Sequence, residues 1–382
     1  ESVPAISFTV EQRTASGSSA PVQSQGHRPT HRFIASGGGD LSVSISSTNS
    51  GVYAIDNSGG FQFLASSGRI RANFGPTGLD LSTPSATNSK QLIFGADGAG
   101  TSSSNITITG GNFKEATANG NAGVVIAKTS GTVVIEPSST SFTEAQTFDT
   151  TWAFTGTSGL TIGKTNNTAA LTVAATQTVA GNINFIGGNI AVNGSQTTTS
   201  SGNITLTPSG TYSGSGALNS AGTLTISGGT TVAPAGAISS SGNITLSGSG
   251  QISNPNSGTI TSSGGSASIT SSGANINLTN AVSAPSGVTL SAKTTVASAA
   301  VTASSGAFTV SSTDSTVTVN GTTSAQSISI TPKTTYTGAG SLTATSGTLT
   351  ISGGSSITPT GNFEASGNIT LSGSGKLLLT SR

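Results

Sequence analysis

Along most of this chain, apolar and polar residues alternate over only three to five positions before a Gly, Ser, Asn or Pro interrupts them. Gly202-Asn-Ile-Thr-Leu206, Gly222-Thr-Leu-Thr-Ile226 and Gly242-Asn-Ile-Thr-Leu246 follow one another at 20-residue intervals. Strict alternation places both aliphatic side chains on one side of a strand and the Thr on the other. The breakers at each end permit a tight bend. Shorter apolar beats fall between the phrases, Val232 and Ile238 among them. Nowhere does a 3.6-residue period persist. A strand this short cannot shelter its apolar side alone, but stacking each 20-residue coil on the next buries a continuous row. The pattern predicts an all-β chain: an elongated parallel β-helix, or β-solenoid, with three short strands per coil.

A longer period lies over the short one. Ile204, Tyr212 and Leu218 reappear as Ile328, Tyr336 and Leu342, each 124 residues on, and Pro234 and Ile244 as Pro359 and Ile369, each 125 on. Residues 158–285 and 286–382 read as two solenoid repeats, together about eleven coils; at an inter-strand spacing of about 4.8 Å they would make a rod on the order of 50 Å long.

The first part differs. Residues 1–32 read as one strand, with Ile6, Phe8 and Val10 alternating with polar residues, followed by a polar tether of about 20 residues that lacks periodicity. Residues 33–157 read as a strand-rich front domain, a sandwich or irregular solenoid coils. Candidate strands there recur every 10 to 15 residues. Ten of the 12 acidic residues, eight of the 13 basic ones and the only Trp, Trp152, precede Thr155.

Composition narrows the function classes. Charged residues make up 7% and the net charge is +1, so the chain carries no basic field for nucleic acid or anionic lipid. No 18-residue apolar run exists to span a membrane. Cysteine is absent, which removes disulfides, thiol nucleophiles and thiolate metal sites. A start at Glu1 with no Met in the chain reads as a processed, exported product placed outside the cell or on its surface.

Candidate chemistry is sparse. After Phe154 the only carboxylates are Asp314 and Glu364, about two and a half coils apart, too far for the paired acids of a polysaccharide-cleaving enzyme. His27 and His31 are i, i+4, but Pro29 between them argues against a helical metal site. No catalytic residue, cofactor or metal ligand is expected, so the chain reads as a non-enzyme. Outward Thr residues could order water or ice if they formed a T-x-T file. The phrases alternate Asn-Ile-Thr with Thr-Leu-Thr, so the file reads as broken, and the strand preference of Thr accounts for its presence.

The repeated Ser-Gly-Asn-Ile-Thr-Leu phrases over 158–382 resemble the β-solenoid shafts of filamentous-haemagglutinin-type exoproteins and related bacterial adhesins. That resemblance implies a secreted or surface shaft with adhesion as its usual role. The expectation is therefore a structural protein that forms a fibre by head-to-tail self-association, its partner a second copy of itself. Ile6, Phe8 and Val10 would be donated at one end, and Leu377, Leu378 and Leu379 left open at the other. The alternative is a monomeric stalk holding a glycan or cell-surface receptor, with Tyr53, Trp152 and Phe154 as a stacking platform.

Overall fold

The computed structural model describes residues 6–12, 31–35, 40–47, 55–56, 61–76, 78–80, 91–96, 100–114, 124–256 and 258–378. Among them are strands and no helix, stacked in parallel as a β-solenoid of about 11 regular turns of roughly 21 residues. Two compact units divide the chain, residues 1–187 and 188–382.

In residues 188–382 one coil shows the plan. Ile204–Pro208 lies on a first face, Thr211–Gly214 on a second and Leu218–Ser220 on a third. The next coil repeats this with Leu224–Ser227, Thr231–Pro234 and Ile238–Ser240. Each strand pairs in parallel with its counterpart one coil on, so Ile204 sits beside Leu224, Tyr212 beside Val232 and Leu218 beside Ile238. Alternation turns every second side chain inward. The result is four columns of aliphatic and aromatic side chains along the interior, with Leu206, Ile226 and Leu246 each fully buried. Burying one such side chain contributes about 1.5–3 kcal/mol, and each column supplies one per coil.

The corners explain the alternation of Asn and Thr in the repeat phrases. Asn203 Oδ1 accepts both the backbone N–H and the hydroxyl of Thr223, one coil on, at 2.7 and 2.9 Å. Asn243 Oδ1 does the same for Ser266, at 2.9 and 3.2 Å. An acceptor in one coil thus meets a residue with two donors in the next, which satisfies a corner N–H that no strand pairing reaches. At the other end of the same bend, Ser240 Oγ–H donates to the Gly222 carbonyl and Ser262 Oγ–H to the Gly242 carbonyl, both at 2.7 Å. Further along, Ala303, Ala325 and Ala344 stand in this buried column. In the coils of Ala303 and Ala325 the third-face strand runs straight on into the first, as Val301–Ser312 and Thr323–Thr331.

The 124-residue duplication is visible in the backbone as well. Gly214 and Gly338 both hold positive φ, 141° and 151°, beside Pro234 and Pro359 in the next coil. A Cβ on either would run into the carbonyl of Val192 or Val319.

Residues 1–187 use the same three faces with wider coils. On the first face, Ile6–Gln12, Leu41–Ser47, Arg69–Asn73, Asn105–Gly110, Thr132–Pro137, Gly159–Ile162 and Asn182–Gly187 pair in parallel in that order. From Leu41 to Ile70 is 29 residues and from Ile70 to Ile106 is 36, while from Leu160 to Ile183 is 23. Parallel pairing between consecutive coils makes these irregular solenoid coils; a sandwich would pair its hairpins antiparallel. Their third face, His31–Ala35, Phe61–Ala65, Gln91–Gly95, Val124–Lys128 and Trp152–Thr155, packs aromatic rings where the second unit packs aliphatics. Phe33 stacks on Phe63 at 5.2 Å and Phe63 on Phe94 at 4.8 Å between ring centres.

Candidate functional site: an open coil end

The last described coil consists of Phe363–Ala365, Ile369–Ser372 and Lys376–Leu377. Its strands continue the columns of the coil before it: Ile369 pairs with Leu349, Leu371 with Ile351 and Leu377 with Ile357. Leu349 and Ile351 are fully buried and Ile357 is 2% exposed, whereas Ile369 is 45% and Leu377 50% exposed. The sequence pattern is the same in both coils; only the presence of a following coil differs. Among the described residues these three strands have a neighbour on one side only. They present an unpaired parallel edge together with an apolar interior in cross-section. Covering such an edge supplies main-chain hydrogen bonds, and its aliphatic positions supply the fit.

The residues singled out from the sequence fall in different places. Leu377 and Leu378, 50% and 44% exposed, belong to this open end, and Leu379 lies outside the described residues. Ile6, Phe8 and Val10 lie on a strand paired in parallel with Leu41–Ser47 of the same chain, Ile6 beside Leu41 and Val10 beside Ile45. Tyr53 also lies outside the described residues. Trp152 is 1% exposed and packs edge-on against Phe113 and Phe148, at 5.7 and 5.0 Å between ring centres. Phe154 is 8% exposed. Neither ring offers an open face to a sugar: alternation in Trp152–Thr155 turns both inward and leaves Ala153 and Thr155 outside.

Asp314 forms an exposed ion pair with Lys293 at 3.7 Å, and Glu364 stands beside Thr343 on the third face. The two acids share no cleft. Among the described residues no group of three or more His, Asp or Glu gathers to hold a metal. On the outside of the first unit's third face, a depression of about 390 Å³ is lined by Ile34, Leu64, Gly95 and Thr101 among others, with no charged side chain in its wall.

Two buried hydroxyls stand out inside the second unit. Tyr212 and Tyr336, equivalent positions of the duplication, are fully buried, and neither phenol has a hydrogen-bond partner among the described residues. Burial pushes both phenols well above the usual tyrosine range. They lie inside the aliphatic columns, with no route to a substrate, and read as large core residues carrying an uncompensated polar atom.

Comparison with known proteins adds no family: no protein-family model, no curated protein and no solved structure matches this chain.

Proposed function

We propose that this chain is a structural shaft protein working outside the cell, and that its open end is completed by a coil of a second copy, stacking molecules head to tail into a fibre. The observation that carries the reading is the exposure of Ile369 and Leu377 at column positions that are buried in every preceding coil of residues 188–382. Covering each half-exposed side chain would add roughly 1 kcal/mol, besides hydrogen bonds along the free edge. A first-face strand of the second copy, Ile6–Gln12, offers the parallel polarity this edge needs. Because that strand is already paired with Leu41–Ser47, the contact needs only its other edge and no detachment. A contact between unlike ends does not close on itself, so it propagates. The role is one of building, with any adhesion arising from the fibre surface.

Electron microscopy and sedimentation of the intact chain test this. The unmodified protein is expected to form filaments whose number grows with concentration. Ile369→Lys with Leu377→Lys, which places charges on the open end while leaving the inner coils untouched, is expected to give folded single molecules. Monomers from the unmodified protein at high concentration, or filaments that survive both lysines, refute end stacking.

A further inference from the structure

The outward side of the first face in residues 188–382 carries a regular grid of hydroxyls. Counted from the corner, the repeat phrases alternate Asn203, Thr223 and Asn243, which reads as a broken file. The outward pair of each strand lies two residues further on: Thr225 and Ser227, Thr245 and Ser247, Thr309 and Ser311. Thr205 begins a column that pairs strand to strand without a break through nine strands to Thr370. A second column, two residues along each strand, runs unbroken through six strands from Ser227 to Thr331. Every position in both columns is Ser or Thr, and none is charged.

Strand pairing spaces the rows of this grid at about 4.8 Å, and a two-residue advance spaces the columns at about 6.7 Å. The grid is stiff, because the β-branched Thr side chain has few χ1 choices and the backbone beneath it is paired on both sides. It is also uncommitted. The corner hydroxyls of Ser220, Ser240 and Ser262 are taken up by backbone carbonyls. The grid hydroxyls of Thr225, Thr245 and Ser247, by contrast, have no protein partner among the described residues, and one pair, Ser311 and Ser291, meets at 3.3 Å. Two kinds of hydroxyl therefore coexist in these coils: one holds the corner together, and the other faces outward in a lattice with its hydrogen bonds free.

We propose that this face binds crystalline ice. Its rows and columns have spacings of the same order as the oxygen repeats of the ice lattice, so water held on the hydroxyls and in the troughs between them is already arranged to join a growing crystal. The rigidity of the grid means little further ordering is needed on binding. The absence of aromatic side chains from the grid sets it apart from a sugar-stacking surface. The proposal does not depend on end stacking, since the grid lies along the side of the coils and the open edge lies at their end.

Growth of a single ice crystal in an undercooled solution of the intact chain provides the test. The unmodified protein is expected to facet the crystal, to open a gap between melting and growth temperatures, and, when fluorescently labelled, to be taken up into the ice. Thr245→Lys with Thr289→Lys puts two long cations in the middle of the grid and should return crystal shape, gap and uptake to the buffer values. Thr318→Lys, on the second face, should leave all three unchanged. Thermal melting of each variant establishes that it is folded. Round crystals without a gap from the unmodified protein, retention of the effect in the Thr245/Thr289 variant, or an equal loss in Thr318→Lys would each overturn the proposal.

Discussion

Residues 1–187 and 188–382 solve the same problem with different tolerances. Both stack three-faced parallel coils and keep inward positions in register, Leu41 beside Ile70 in the first as Leu224 beside Ile244 in the second. In the second unit consecutive coils differ by 20 to 23 residues, from Ile204 to Leu224 and from Ile244 to Ala267. In the first they reach 36. The extra length sits at the bends, because a strand that gains or loses one residue turns its whole apolar side outward. Wider coils enclose more interior, and the first unit fills it with Phe63, Phe74, Phe94, Phe113, Phe148 and Trp152. The second needs only Ile, Leu and Val with an occasional ring. Coil length and side-chain volume therefore vary together, while strand register stays fixed.

The largest effects should come from the interiors. Phe63→Ala removes the middle ring of a three-ring stack, and a loss of about 3–5 kcal/mol is expected in denaturant unfolding; Leu246→Ala, in a narrower coil, should cost about 2–5 kcal/mol. Equal and small losses at both would break the view that the two units are packed by the same logic. Next come the bends of the wide coils. A side chain at Gly111 would meet the Pro76 carbonyl, whereas Gly100 has open space around it. Gly111→Ala is expected to cost about 1–3 kcal/mol through backbone displacement, and Gly100→Ala to change little; a neutral Gly111→Ala would mean that these bends yield freely.

A smaller effect separates coils within the second unit. Ser240→Ala removes the corner bond to the Gly222 carbonyl and should cost about 1 kcal/mol. Ala303→Ser, in the same column, should destabilise too, because the strand there runs straight through the corner. A gain at Ala303 would show that serine is simply the better residue at every corner. The smallest effect concerns the unpartnered phenols. Tyr212→Phe is expected to be neutral or to stabilise by up to about 1 kcal/mol. Since burial holds the folded-state phenol above the unfolded value of about 10, its contribution is fully present below that pH and declines as pH rises beyond it. Tyr212→Phe together with Tyr336→Phe should therefore weaken the alkaline loss of stability, measured by thermal melting between neutral and strongly alkaline pH.

Much of this architecture is legible before any coordinates. The 20-residue return of Gly-Asn-Ile-Thr-Leu fixes strand length, inward residues and parallel stacking, because only a like neighbour can cover so short a strand. The first unit is harder to read: spacings of 27 to 36 residues resemble those of a sandwich, and the coil period is lost in its bends. The strand of Ile6, Phe8 and Val10 is visible in the alternation, but its pairing with Leu41–Ser47 is not, since a long polar stretch separates them. The hydroxyl grid is missed for a different reason. Counting from the conspicuous corner residue selects Asn203 and Thr223, and only strand register shows that the outward pair begins two residues later. Trp152 and Phe154 illustrate the limit of composition: scarcity draws attention to them, yet alternation already turns both to the inside.

The corner contact between Asn203 and Thr223 also constrains how such a chain can lengthen by copying itself. Acceptor and donor coils alternate, so inserting a block with an odd number of coils would set two asparagines, or two threonines, against each other at the join. The internal copy runs from Ile204 to Ile328 in six steps, an even number, and Asn243 returns as Asn368 with its phase preserved.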